Sequence, residues 1–255
     1  MRVAGLALPQ LSARCARALA ILVCLGLTLS IAARAGTVHG TVKNGTTGKP
    51  AAGVSVMLIQ LQGGMQPVGN TQSNAQGAFS FENPNLGVQP MLIRAVYHGI
   101  NFHQPVPPGN TAAVDVSVFE PSTDAKAVSV DTRVVFFQPN GTNVIVGEEY
   151  SIVNNSQPPQ AYFRPDGNFE FSVPEGAHLQ QVAASGPAGM PVVQATIDKS
   201  KGHYAIAYAF RPGESVVRYS YELPYPNNAA AVKIPPSRWA ARRLLVVAPP
   251  TLQVS

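Results

Sequence analysis

The chain carries five histidines, His39, His98, His103, His178 and His203, and their spacing limits what metal chemistry is open to it. Only His98 and His103 fall close together, about the turn Tyr97-His98-Gly99, where two imidazoles can meet one ion. The competing reading is two separate loop histidines, and the spacing favours it. None of the five begins an H-x-x-E or H-E-x-x-H pattern, so the helical zinc-peptidase signature is absent. Glu148 and Glu149 are adjacent in an alternating run, which points them to opposite faces of a strand and rules out a paired acid and base. Asp131 and Arg133, two apart, share a strand face and predict a solvated ion pair. Asp124, Asp166 and Glu175 stand in loops without the dense oxygen spacing of a calcium loop. There is no G-x-S-x-G elbow and no phosphate-binding glycine loop. No catalytic residue, metal ligand or cofactor is assigned.

The aromatic residues are the better ligand candidates. Tyr162 and Phe163 follow Pro158-Pro159, Tyr225 stands between Pro224 and Pro226, and Trp239, the single tryptophan, neighbours Arg238, Arg242 and Arg243. Exposed flat rings stack on sugar faces, so Tyr162, Phe163, Tyr225 and Trp239 form a candidate platform for a polysaccharide. The competing reading is that they cap the ends of a hydrophobic core.

The start of the chain sets its compartment. Residues 1–35 contain no acid, carry Arg2, Arg14 and Arg17, and include the apolar run ALAILVCLGLTLSIA. Ala33-Arg34-Ala35 then places small residues at −3 and −1, predicting cleavage between Ala35 and Gly36 and export to the periplasm, the cell surface or the medium. The run is about 15 residues, short of the roughly 20 a spanning helix needs, and no later run is long enough to cross a membrane. Val23 before Cys24, with apolar residues continuing beyond, does not fit a lipoprotein signal. Both cysteines, Cys15 and Cys24, leave with the leader, so no disulfide or cysteine metal site is expected in the mature chain. Removing Arg2, Arg14, Arg17 and Arg34 from the 18 basic residues leaves 14 against 13 acidic ones, which withdraws the support for a nucleic-acid partner. Asn44, Asn140 and Asn154 head N-glycosylation sequons, and the first two also read as turns.

These residues must be positioned by strands. Val114, Val116 and Val118 alternate with polar residues, as do Phe169, Phe171 and Val173, then Tyr204, Ile206, Tyr208 and Phe210, and Val217, Tyr219 and Tyr221. Asn44-Gly45, Asn140-Gly141, Asp166-Gly167 and Pro212-Gly213 mark turns between such runs. No amphipathic helix is evident after the leader. The pattern predicts an all-β chain of two β-sandwiches. Residues 36–119 form the first, the polar, Pro- and Ser-containing residues 120–127 a linker, and residues 128–255 the second, for which an immunoglobulin-like sandwich is expected. Within it, the runs before and after Asn140-Gly141 predict a long hairpin. The apolar runs at 244–247 and 251–254 predict strands paired inside the second sandwich or completing a partner's sheet.

Gly40-Thr41-Val42, Gly48-Lys49-Pro50-Ala51-Ala52-Gly53-Val54-Ser55-Val56, Thr71, the turn Asn74-Ala75-Gln76-Gly77, the strand Ala78-Phe79-Ser80-Phe81 and the closing Tyr97-His98-Gly99 carry a family likeness. Over residues 38–119 the chain resembles the carboxypeptidase regulatory-like family, a transthyretin-like (prealbumin-like) β-sandwich. The resemblance implies a fold appended to many exported proteins, with no peptidase activity of its own. Together with the leader it leads us to expect an exported, non-catalytic binding or scaffolding protein, whose partner is an envelope protein or a polysaccharide. The alternatives are a carbohydrate-binding module and an accessory protein to a hydrolase.

Overall fold

A computed structural model describes residues 36–109, 113–187, 189, 191–228 and 232–252. The leader, with Ala35 of the expected cleavage site, lies outside the described residues; Gly36 opens the first strand.

The first sandwich contains β1 (Gly36–Asn44), β2 (Ser55–Gln60), β3 (Gln66–Gln72), β4 (Ala78–Asn83), β5 (Met91–Tyr97), β6 (Ile100–Val106) and β7 (Val114–Val118). A sheet in the order β4-β1-β7 packs on a sheet in the order β3-β2-β5-β6. The alternation of each strand turns one row of side chains inward. Val38 and Val42, Val56 and Leu58, Phe79 and Phe81, Ile93 and Ala95, Phe102, and Val114, Val116 and Val118 are buried in one core. Gly77 closes the turn before β4 with φ +75°, and a Cβ there would lie 2.5 Å from the Val42 carbonyl oxygen. Both the backbone conformation and the close approach therefore require glycine.

The second sandwich follows from β8 (Pro121–Ser122) and a 3₁₀ turn (Ala125–Ala127). Its strands are β9 (Val128–Asn140), β10 (Asn143–Asn154), β11 (Ala161–Tyr162), β12 (Phe169–Ser172), β13 (His178–Ser185), β14 (Val192–Val193), β15 (Ile197–Ser200), β16 (His203–Ile206), β17 (Gly213–Pro224) and β18 (Ala241–Val247). Six strands run β14-β13-β17-β10-β9-β18, and the facing sheet is β12-β16-β15. The long hairpin expected around Asn140-Gly141 is β9–β10. The alternating run ending in Tyr208 and Phe210 is a strand only as far as Ile206; Phe210 then makes a single bridge to Tyr162. Strand β18 pairs parallel to β9 at the sheet's edge. The second apolar run is not a strand where it is described: Pro249-Pro250 stops β18, and the Leu252 N–H donates to the Pro249 carbonyl (2.9 Å) to form a turn. Residues 253–255 lie outside the described residues.

Residues 120–127 are more than a tether. Pro121–Ser122 pairs in parallel with Ala161–Tyr162. The Glu120 N–H donates to Thr46 Oγ1 (3.0 Å), and that hydroxyl donates to the Pro159 carbonyl (2.5 Å). Glu120 Oε1 accepts from Tyr97 Oη (2.6 Å) and Asn44 Nδ2 (2.7 Å), while Oε2 faces His98 Nε2 at 3.4 Å. Ala161 is fully buried in the first core, and Phe163 and Ala209 pack against it. Breaker residues at Pro121 and Ser122 read as a linker in the sequence, but their backbone groups find strand partners across the joint. Among the described residues, no helix is long and apolar enough to cross a membrane.

Candidate functional site

The four rings of the expected platform do not share an open face. Tyr162 is buried in the second core, where it stacks on Phe210 (10°, 6.4 Å). Phe163, its neighbour in sequence, turns the other way and packs on the first core, because successive residues of an extended chain point to opposite sides. Trp239 is half-buried, lying flat on Phe169 (10°, 6.2 Å) and edge-on to Tyr162 (84°, 6.2 Å). Tyr225 is half-buried beside the β9–β10 turn, its N–H bonded to the Thr142 carbonyl (2.7 Å). The structure thus brings Tyr162 and Trp239 together and leaves Phe163 and Tyr225 elsewhere. The first two line a cleft of about 210 Å³ with Arg164, Asn168, Glu170 and Arg238. Glu170 is nearly buried there. Burial opposes its charge, but the Arg238 guanidinium at 2.5 Å and His203 outweigh it and hold the carboxyl below its ordinary value.

The histidine pair is also divided. His98 sits at the tip of the β5–β6 hairpin with φ 48° and faces Glu120, whereas His103 lies along β6 opposite Arg94. Arg94 Nε donates to His103 Nε2 (3.1 Å). Burial, and then the positive charges of Arg94 and of Arg211 from the second sandwich, push this imidazole down to about 4. Two cations beside one ring nitrogen make a poor metal site. Among the described residues no group of three or more His, Cys, Asp or Glu side chains is placed to hold an ion. Two sequon asparagines carry buried, bonded amides: Asn44 Nδ2 donates to Tyr97 and Glu120, and Asn154 Nδ2 donates to the carbonyls of Gln160 (2.7 Å) and Phe210 (2.8 Å). A glycan on either nitrogen would break the joint or the second core.

The expected Asp131–Arg133 pair is not formed. Between Ser151 and Ile152 the β9–β10 register shifts, so Thr132 and Val130 face successive β10 residues and Asp131 is the extra residue of a bulge. The bulge moves Asp131 and Arg133 onto different faces. Asp131 pairs with Arg243 of β18 (2.5 Å) and is held below its ordinary pKa by that bond and by Thr132. Arg133 turns into the second core and meets Glu148, which is fully buried. Arg133 Nη2 lies 2.7 Å from Glu148 Oε2, and Nε donates to the same oxygen (2.9 Å). Nη2 also donates to the Pro235 carbonyl (3.2 Å), and the guanidinium carbon lies 5.3 Å from the Tyr150 ring centre. Tyr150 Oη donates to Glu148 Oε2 (2.9 Å), and Tyr221 Oη to Oε1 (3.4 Å). Burial and the Glu148 charge push the Tyr150 hydroxyl up to about 12, and push Tyr219 and Tyr221 upward as well. The signal for this cluster was present in the sequence: Glu148 sits at even spacing from Val144, Val146, Tyr150 and Ile152, on the inward row. The buried carboxylate is thus held by its cation and by tyrosine hydroxyls that keep their protons.

The remaining feature is the outer edge of the six-stranded sheet. Leu244, Leu245, Val246 and Val247 on β18 are 59%, 50%, 48% and 52% exposed, so neither face of the strand is covered. Phe136, paired in register with Val247, extends the patch and lies flat over Gly147, whose missing side chain gives the ring its seat.

No family model matches the chain, and no curated protein matches it. Among solved structures, the full-length major pilin SpaD from Corynebacterium diphtheriae is similar at 14% identity, over 77% of this chain and 58% of the pilin, with a TM-score of 0.27. A DUF3823 family protein from Parabacteroides merdae is similar at 10% identity, over 76% of this chain and 83% of that one, with a TM-score of 0.28. The chain therefore spans less than two thirds of the pilin's length. At these TM-scores neither likeness bears on function.

Proposed function

We propose that this is an exported, non-catalytic binding or scaffolding protein of the cell envelope or extracellular space, and that it engages a partner through the edge of its second sandwich that is open among the described residues. The observation that carries the reading is the edge strand β18, whose apolar residues 244–247 are about half exposed on both faces. Sheet edges of this kind are ordinarily shortened, charged or covered, and the opposite edge of the same sheet, the two-residue β14, is already short. The joint around Glu120 supports a scaffold role by fixing the two sandwiches to one another. The leader and the carboxypeptidase regulatory-like resemblance of the first sandwich belong to the same reading. The test is affinity capture from envelope extracts with the wild-type protein and Leu245→Lys. A defined envelope protein or polysaccharide retained by the first and lost by the second supports the proposal. Hydrolysis of peptide or glycan substrates, abolished by substitutions in the protein's own residues, would sink it. N-terminal sequencing of the exported protein should begin at Gly36.

A second reading, binding of a saccharide unit, is favoured by one observation: Tyr162 and Trp239 share a cleft with polar Asn168, Arg164 and Arg238. Against it, Trp239 is half-buried, stacked offset on Phe169 and edge-on to Tyr162. A glycan array with wild type and Trp239→Ala decides the matter; a wild type that retains no glycan removes the reading.

A further inference from the structure

Strand β18 is the outermost of six, its inner edge pairs with β9, and among the described residues nothing pairs with its outer edge. That outer row of N–H and C=O groups is a template for another strand. The seat is bounded at both ends. Arg242 and Arg243 precede the four apolar residues, and Pro249-Pro250 follow them. Arg243 is neutralised by Asp131, but among the described residues no acid lies within ion-pair distance of Arg242. Asp131 thus meets two arginines, one in contact and one nearby, and that end of the edge carries a net positive charge.

Size discriminates between occupants. A strand of this length is about 23 Å long and a sheet about 10 Å thick, so two folded sheets meeting edge to edge would share roughly 230 Å² per side. That is well below the roughly 800 Å² per partner of a stable interface between folded proteins. A single extended segment needs no such interface between folded bodies: it pairs along the backbone and lays alternate side chains beside Leu244 and Val246 on one face and Leu245 and Val247 on the other.

We propose that the β18 edge takes an extended segment of another chain as a seventh strand, apolar through its middle and acidic at the end that meets Arg242. The proposal rests on the reading of this protein as a binding scaffold. It is tested with labelled synthetic peptides of alternating valine and threonine that end in two aspartates, at either terminus, and with matched peptides ending in two lysines. Binding to the purified protein is followed by fluorescence anisotropy. One of the aspartate peptides should bind about fivefold to tenfold more tightly than its lysine counterpart, with the gap closing as salt is raised. Arg242→Glu should reverse the preference, and Leu245→Lys should abolish binding while thermal unfolding of the protein stays unchanged. Failure of every peptide to bind, or equal binding of acidic and basic peptides, overturns the proposal. So does a wild type that sediments as a dimer and becomes monomeric on Leu245→Lys, because the occupant is then a second copy. If the peptides fail but envelope capture still depends on Leu245, the partner has another chemistry and the broader reading stands. If capture fails as well, both fall.

Discussion

Glu148 and Glu120 do the same thing in two regions with opposite consequences. Each carboxylate gathers a tyrosine hydroxyl: Tyr150 on Glu148 at 2.9 Å, and Tyr97 on Glu120 at 2.6 Å. Glu148 does so inside the second core, where its charge is matched by Arg133 at 2.7 Å and water is excluded. Glu120 does so at the joint, a third exposed, with neutral donors on one oxygen and His98 on the other. In the core, each charge is tolerated only while its partner is present, and the pair ties Arg133, just past the bulge in β9, to Glu148 of β10. At the joint, a lost bond is replaced by water, so the carboxylate sets orientation at little cost to stability. The Tyr97 hydroxyl still registers its neighbour: the bond to Glu120, then burial, raises its pKa, and the same bond lowers that of Glu120.

The contrast breaks most sharply on removing one buried charge. Arg133→Ala should destabilise the second sandwich by about 3–5 kcal/mol, since it strands the Glu148 carboxylate in the core. Denaturant unfolding followed by the near-ultraviolet signal of the tyrosine cluster measures this. Replacing both partners together, Arg133→Met with Glu148→Leu, should recover most of the loss. A double variant as unstable as the single one would mean that the pair contributes net stability rather than registry.

Next in size is the joint. Glu120→Ala should cost about 1–2 kcal/mol by removing the acceptor of the half-buried Tyr97 hydroxyl and one of two acceptors of the buried Asn44 amide, which keeps its bond to Tyr97. Its larger effect should be on interdomain order, read as broader distance distributions between spin labels on the two sandwiches. A cost equal to that of Arg133→Ala would erase the distinction drawn between the two sites.

Acid separates further groups at the joint. His103 has a folded-state pKa of about 4 against an ordinary 6.5, so the unfolded chain takes up this proton first. Stability is therefore full above about 6.5 and falls as pH drops toward about 4, a window that His103→Gln should flatten. Glu120 at the joint, and Asp115 on β7, bonded across the first sandwich's own sheet to Lys43 and Thr41, are depressed carboxyls, whose contribution is present above their ordinary range and is lost only below it. Thermal unfolding across pH should show the first sandwich weakening in these two steps. A melting temperature constant from pH 7 to 4.5 would contradict the buried placement of His103. The smallest expected effect is Tyr221→Phe, below about 1 kcal/mol, because its bond to Glu148 is long at 3.4 Å.

Much of the fold was legible because period-two patterning is a local property. Val114, Val116 and Val118, Phe169 and Phe171, and Val217, Tyr219 and Tyr221 all turn inward as their spacing predicts. The same rule, applied to Glu148 and Glu149, sends them to opposite faces, and the row shared with Val144, Val146 and Tyr150 makes Glu148 the inward one. Asp131 and Arg133 could not be resolved this way, because a bulge breaks the period and leaves no mark in residue type. Ala161 in the first core and the parallel return of β18 to β9 depend on contacts distant in sequence. The four rings do not share one face, because a ring's surroundings are decided by what lies across the fold, Phe169 and Phe210 for Trp239 and Tyr162.

Ala161 has one more consequence. It fills the first core from a position beyond the whole β9–β10 hairpin. A chain delivered from its N-terminus through a narrow pore presents β1 to β7 first, with that seat vacant and the hydroxyl of Thr46 lacking the Pro159 carbonyl. The leading sandwich is finished only after β9, β10 and Ala161 of its successor have emerged, so order of arrival and order of completion differ.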